Sequence, residues 1–493
     1  MSATVGQGGC LPSPRFECTA SDQCRLSGER DGACHEGYCT YADAGCDSGR
    51  RYHEHAPAEL AGACVPEPSG TSTTAVGSSG VAGETSGGGD ASSDATGETG
   101  NAAVCGNGEV EAGEVCDDGD TVDDGACNRR CQLAGEVLWQ DTSSRAGRDL
   151  ALGVAVLGDG TVVVAGELDG PADVDLSLRF FTADGVPGDE VVHDGPEAGD
   201  DSVGDLVTDP ERLVVVGSNA DRATLFVFDH AGAPLGNVRE PSGLSSHWDA
   251  ALFDDDGALY TTGHLATVDG DPDVWTRCHG PGLDEACGEA VFTGPAAGGA
   301  EGGEGLAWIG DTLLVVGQVN PGPGARADVF AQRLSATLRV LDTSVTERSA
   351  LAGWTDAAAS PTGRVFVSGF LDLGSGLRQI RAAAFGDRGP ATTNFVVPRE
   401  VEGTDFGRAV AVDSLGHVIV VGEIDLSADP DVRDYRGFVG KYDADFAEIW
   451  VRTVDIDASK VRAVAIDAND DIIVAGELEV EGEVDAFTVA FGA

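Results

Sequence analysis

One phrase recurs seven times in this chain. It reads TVVVAGEL (161–168), RLVVVGSN (212–219), ALYTTGHL (258–265), TLLVVGQV (312–319), RVFVSGFL (364–371), HVIVVGEI (417–424) and DIIVAGEL (471–478). Each copy is a run of strand-forming residues closed by a glycine: Gly166, Gly217, Gly263, Gly317, Gly369, Gly422 and Gly476, at intervals of 46 to 54 residues. Such runs suit a pleated, half-buried strand. Self-similarity at that period, with several strands per unit, specifies a β-propeller.

Each unit has the same internal order. An inner strand comes first, as in RAVAVDSLG (408–416), and the phrase is the second strand. A third strand and turn follow, as in RGFVGKYDAD (436–445), then a fourth strand, as in AEIWVRTV (447–454). Asp-x-x-Gly and related turns separate the first two strands, as short hairpins require. The seventh unit stops after its third strand, DAFTVAFGA (485–493), whereas EVLWQDT (136–142) precedes the first unit. Trp139 lies 27 residues before Gly166, much as Trp450 lies 26 before Gly476. The expected fold is therefore mainly β, a seven-bladed propeller over 136–493 closed by an N-terminal strand that covers two open edges.

The rest of the chain divides by composition. Residues 1–65 hold seven of the 13 cysteines, and 104–132 hold four more. Between them, 66–103 is rich in Ser, Thr, Gly and Ala with almost no large apolar residue, which predicts a flexible linker. Cysteines this dense in loop-rich segments point to disulfides and an oxidising compartment. Residues 1–9 lack a charged n-region and an apolar h-region, so no signal peptide is read there, and the cysteines outweigh that observation. The net charge of −54 disfavours nucleic acid and anionic lipid as partners. No apolar run is long enough for a membrane-spanning helix.

The segment CGNGEVEAGEVCDDGDTVDDGACNRRC (105–131) resembles the Myxococcus-type cysteine-rich repeat, with Asp120 in place of the usual asparagine. The resemblance implies an extracytoplasmic, disulfide-stapled module without enzymatic activity. Cys105, Cys116, Cys127 and Cys131 then form two disulfides, with three pairings open. Residues 16–65 are similar to cysteine-rich N-terminal regions of myxobacterial surface and secreted proteins. There Cys18, Cys24, Cys34, Cys39, Cys46 and Cys64 pair among themselves. Cys10 is the candidate for lipidation, with an unpaired or intermolecular thiol as the alternative. Zinc ligation by Cys34, His35, Cys39, His53 and His55 is the rival to disulfides, but the spacing fits no standard zinc pattern. The region 136–493 resembles bacterial β-propeller repeat proteins.

Three further sites follow from the residues. Glu114, Asp117, Asp118, Asp120, Asp123 and Asp124 crowd a glycine-containing loop and are candidate calcium ligands. Cys278 and Cys287 flank a turn and are placed for a disulfide across one hairpin. The loops after the second strands, among them ELDGPADVD (167–175), make an acidic rim. The inner strands, from GVAVL (153–157) to RAVAI (462–466), read as small and apolar, so the channel is expected to be chemically bland. The resulting expectation is a monomeric, non-enzymatic extracytoplasmic protein, secreted or tethered at the surface, whose propeller recognises a protein or glycan. The alternatives are a propeller enzyme acting on extracellular glycans and a purely structural envelope component.

Overall fold

The structure is a computed structural model. It describes residues 33–35, 38–42, 50–52, 65 and 104–493, the last apart from 112–113, 121–126, 146, 171, 268–270, 295–300, 320–327, 347–351, 373–376, 387–388, 398–402, 428–432 and 481. Two compact units divide the chain, 1–97 and 98–493. In the first, strands Ala33–His35, Tyr38–Ala42 and Arg50–Tyr52 form an antiparallel sheet in which Cys34 and Cys39 are register partners. Cys10, Cys18, Cys24, Cys46, Cys64, His53, His55 and the 66–103 segment lie outside the described residues, as do the side chains of Cys34, His35 and Cys39.

The second unit contains seven four-stranded antiparallel sheets arranged as blades. Blade 1 spans 149–193, blade 2 201–239, blade 3 246–292, blade 4 301–346, blade 5 352–396 and blade 6 406–453. Blade 7 takes three strands from 459–491 and its fourth from Val137–Ser143, which pairs antiparallel with Glu483–Phe491. The N-terminal strand therefore closes the ring. Its Trp139 stacks on Phe181 of blade 1 at 5.5 Å and donates from Nε1 to Ala183 O at 3.1 Å. Arg179 of blade 1 ion-pairs with its Asp141 at 2.9 Å. The closing strand thus ties blade 7 to blade 1 by backbone, ring and charge.

Seven apolar clusters hold the ring, one at each blade–blade interface. Between blades 1 and 2, Val163, Ala165, Leu176 and Leu178 meet Leu206, Val215, Phe226 and Phe228. Between blades 7 and 1, Ile473, Ala475 and Ala490 meet Val154, Val164 and Phe181. A cluster at every interface, the seam included, is what a closed ring requires. Each fully buried Val, Leu, Ile or Phe contributes roughly 1.5–3 kcal/mol of transfer free energy.

The recurring glycine has a local cause. Every inner strand carries a β-bulge opposite the phrase: one residue is extra at Leu152, Gly204, Asp249, Glu304, Thr355, Arg408 and Arg462. The bulge swings the carbonyl two residues upstream onto the second strand. A Cβ on Gly166, Gly217, Gly263, Gly317, Gly369, Gly422 or Gly476 would lie only 1.8–2.1 Å from that oxygen. Only glycine admits so close an approach.

Part of the acidic surplus is structural. Asp229, Asp254, Asp413, Asp443 and Asp467 each accept two backbone N–H bonds from the next hairpin turn through one carboxylate oxygen. Asp413 also meets the fully buried Lys441 Nζ at 3.1 Å and His417 Nδ1 at 2.8 Å. Three disulfides join Cys105 to Cys131, Cys116 to Cys127 and Cys278 to Cys287. Among the described residues no helix is long and apolar enough to cross a membrane.

Candidate functional site

The seven bulged residues form a ring. Each is half-exposed on an inner strand that is otherwise largely buried, and those strands line the axis of the propeller. A bulge re-aims a side chain, and here it turns one residue per blade toward the channel. The residue after each phrase glycine lies alongside: Glu167, Ser218, His264, Gln318, Phe370, Glu423 and Glu477. In blade 6 the Arg408 guanidinium donates to both oxygens of Glu423, at 2.6 and 3.0 Å. In blade 7 Arg462 Nη2 and Lys460 Nζ donate to Glu477 Oε1 at 2.7 and 3.1 Å.

Blades 3 and 4 fill the same positions differently. His247 and His264 are register partners across the first two strands of blade 3, and their rings stack at 5.7 Å with planes 11° apart. The bulged Asp249 reaches both: Oδ1 lies 3.1 Å from His247 Nδ1 and Oδ2 lies 3.4 Å from His264 Nδ1. His247 Nδ1 is buried and lacks a hydrogen bond of good geometry despite that approach. On blade 4, Gln318 Nε2 donates to Oε1 of the bulged Glu304 at 3.1 Å. Among the described residues, neither Asp249 nor Glu304 has a lysine or arginine partner.

The electrostatics of this group are divided. Burial opposes ionisation of Asp249, but the two imidazoles outweigh it and hold the carboxyl below its ordinary value. Hydrogen bonding to Asp249 raises the His264 imidazole. Burial, reinforced by the charge on Asp249, pushes Glu304 up to about 7. The cluster therefore places an ionised carboxylate, two imidazoles and a carboxyl that is partly protonated near neutrality on adjacent blades. Those are the components of general acid–base chemistry.

Blades 2 and 5 carry carboxylates one place beyond the bulge. Asp205 accepts from Leu206 N at 2.7 Å and from Ala251 N of blade 3 at 3.1 Å. Asp356 accepts from Ala357 N at 2.7 Å and from Val410 N of blade 6 at 2.8 Å. Each clasps its own inner strand to the next blade. Burial pushes Asp205 up to about 6 and Asp356 up to about 7, the latter also raised by Asp205. Both residues are only half-covered in surface terms, since they border the channel, yet protein surrounds them closely enough for desolvation to dominate.

The expectation of a bland channel is thus corrected. The small apolar residues of the inner strands pack between blades, and in blades 3, 4, 6 and 7 the bulge presents a charged residue beside them. Alternation at period two hides such an insertion. A detectable signal was the position after each phrase glycine, which is polar in every copy except Phe370.

Of the six acidic candidates in the cysteine-rich module, Glu114 and Asp117 come together, with Cys131 Sγ beside them. Asp118 and Asp120 are exposed and belong to no such group, and Asp123 and Asp124 lie outside the described residues. Asp117 accepts N–H bonds from Gly106, Asn107, Gly108 and Gly119 at 2.8–3.1 Å, so its oxygens brace the loop. Some burial opposes its ionisation, but these four donors prevail and hold the carboxyl low. On the acidic rim, Asp173, Asp175 and Asp194 bring their oxygens within 4.8 Å of one another. A groove between blades 4 and 5 (about 210 Å³), lined by strand residues, and one between blades 1 and 2 (about 630 Å³), lined largely by turn residues, are both built without the histidine cluster.

No family model matches the chain, and no curated protein matches it in sequence. Solved structures do resemble its propeller. One is an ulvan lyase bound to -[GlcA(1-4)Rha3S]-, at 12% identity and TM-score 0.44, over 70% of this chain and 95% of that one. A second is an α-L-arabinofuranosidase of Fusarium graminearum with arabinobiose, at 10% identity and TM-score 0.42, over 71% and 97%. A third is a calcium-binding regucalcin from Agrobacterium tumefaciens, at 15% identity and TM-score 0.35, over 73% and 95%. The expectation that the chain is not an enzyme rested on a channel without titratable groups, and it does not stand: His247, Asp249 and His264 converge on blade 3 and Glu304 lies on the adjoining inner strand. At such identities the likeness concerns the propeller fold alone, and any activity has to be argued from the residues of the channel.

Proposed function

We propose that this chain is an extracytoplasmic propeller enzyme that acts on an extracellular glycan at the channel, with His247, Asp249, His264 and Glu304 as its reacting groups. The observation that carries the reading is the division of charge states on blades 3 and 4. Asp249 is held ionised beside two imidazoles, whereas Glu304 is held near the midpoint of its titration. Cleavage of a glycosidic bond, by hydrolysis or by elimination next to a uronate, needs one group to take a proton and another to protonate the leaving oxygen. In this arrangement Asp249 holds the imidazoles in place, a neutral histidine takes the proton and the protonated Glu304 carboxyl supplies one to the leaving oxygen. Disulfides at 105–131 and 278–287 support an oxidising location.

The test is a panel of neutral and uronic polysaccharides incubated with the full chain. New reducing ends, together with the ultraviolet absorbance of an unsaturated product, distinguish hydrolysis from elimination. Asp249→Asn and Glu304→Gln should each lower the rate by about 100-fold or more while the melting curve stays cooperative. Binding without turnover across the panel, unchanged by either substitution, would sink the reading.

A further inference from the structure

We propose that His247, Asp249 and His264 form a binding site for one divalent transition-metal ion of the zinc class. The donor atoms converge: the two Nδ1 atoms and an Asp249 oxygen all lie within 4.8 Å of one another. Bond lengths of about 2.0–2.2 Å to a central ion bring tetrahedral ligand atoms to separations somewhat below that, so a slight inward movement of the side chains suffices. His247 Nδ1 is buried without a well-formed hydrogen bond, although a carboxylate oxygen is 3.1 Å away. An imidazole nitrogen in that position is under-used by the protein and aimed at the shared point.

A second observation is independent of that geometry. At the same ring position, blades 6 and 7 neutralise their carboxylates from within, through Arg408, Arg462 and Lys460. Blades 3 and 4 place Asp249 and Glu304 on neighbouring inner strands without an arginine or lysine partner among the described residues. An external cation would supply the missing charge. The donor set selects its class. Two imidazoles and one carboxylate suit zinc and its borderline neighbours, whereas calcium takes oxygen ligands almost exclusively. Three protein ligands would leave a fourth position for water or substrate, the arrangement of a reactive rather than a structural site. Glu304, on the adjoining inner strand and held by Gln318, lies outside the ligand set.

This inference rests on the cluster of the proposed glycan reaction and, with an ion bound, gives the histidines the role of ligands in place of that of base; its readout is binding, so the two fail separately. The full chain, stripped with a chelator and dialysed, is titrated with Co2+ as a visible probe and then with Zn2+ and Ca2+ as competitors. The expected result is one equivalent of Co2+ with the strong visible bands of four-coordinate cobalt, displaced by Zn2+ and not by excess Ca2+. His264→Ala and Asp249→Asn should weaken binding by more than the ~10–100-fold that loss of a mere supporting group costs. His230→Ala, on a hairpin turn of blade 2, should leave it unchanged. If a variant melts abnormally, hyperfine-shifted imidazole protons of the Co2+-loaded parent protein provide the same test without substitution. Absence of the cobalt spectrum, displacement by Ca2+, or binding indifferent to both substitutions would overturn the site.

Discussion

Blades 3 and 6 are built on the same backbone and do different things with it. Both have a bulge in the inner strand, and both have a phrase glycine against the upstream carbonyl, Gly263 against His247 and Gly422 against Phe406. Blade 6 then puts arginine on the bulge and glutamate after the glycine, and the pair closes on itself with Glu423 only 2% exposed. Blade 3 puts aspartate and histidine there, and its groups point at one another without an arginine or lysine among the described residues. One scaffold position is thus spent on stability in blade 6 and left available for chemistry in blade 3. The difference lies in three side chains, His247, Asp249 and His264 where blade 6 has Phe406, Arg408 and Glu423, because the bulge and the glycine are common to both.

The largest effect tests what the blades share. Gly263→Ala and Gly422→Ala each drive a Cβ to about 2 Å from a backbone oxygen that cannot retreat without opening the bulge. Each should cost about 4 kcal/mol or more, in the range reserved for strained or overpacked backbone. Denaturant melts of the two variants should agree. A tolerant Gly263 beside an intolerant Gly422 would mean that blade 3 does not use the shared scaffold.

The next effect should separate the blades. Arg408→Met leaves the Glu423 carboxylate buried and unpaired, at a cost of roughly 2 kcal/mol or more, toward the lower end for a broken buried pair because Arg408 is partly exposed. Asp249→Asn in blade 3 should change stability by under about 1 kcal/mol, as expected for a half-exposed contact, while abolishing cobalt binding and glycan turnover. Equal destabilisation by the two substitutions would remove the distinction between a structural and a functional blade.

How much of this was readable in advance follows from the same pair of blades. The ring was legible because the bulge imposes glycine on every copy, and a forced residue survives as a visible repeat. Closure was legible because Trp139 stands at nearly the spacing of Trp450 and because blade 7 ends one strand short. The channel chemistry was not legible. An inserted residue breaks the two-residue alternation from which inward and outward faces are read. DAALF (249–253) and RAVAV (408–412) therefore passed as apolar strands despite their leading charges. His247 and His264 lie 17 residues apart in the chain, and only the register of the hairpin brings their rings together. At Asp117, whose setting among acidic neighbours suggests a cation, four N–H groups that the sequence does not reveal fold onto the same carboxylate.

Blades 2 and 5 supply the smallest and most discriminating effect, because their carboxylates clasp neighbouring blades without a cation and border the channel without a histidine. Asp205 is raised to about 6 and Asp356 to about 7, against an unfolded value of 3.8. The sign follows from the raised values: the folded state holds these protons more tightly than the unfolded chain. Their contribution to stability is complete below the unfolded value and is lost as pH rises through the folded values. The melting temperature should therefore fall between about pH 4 and pH 7 on account of these two groups. Asp356→Asn keeps the side chain neutral throughout, so it should flatten the upper part of that fall. At pH 8 the variant should be the more stable protein, by on the order of 1 kcal/mol once the open channel side is allowed for. The advantage should shrink as pH falls and vanish only below the unfolded value of 3.8, where the parent carboxyl is protonated in both states. A variant that kept the full slope would assign the pH dependence to Glu304 and Glu301, which are also raised to about 7. The third device, the neutral clasp, would then be lost from the comparison, and blades 2 and 5 would be grouped with blade 6 as stabilising in their ionised form.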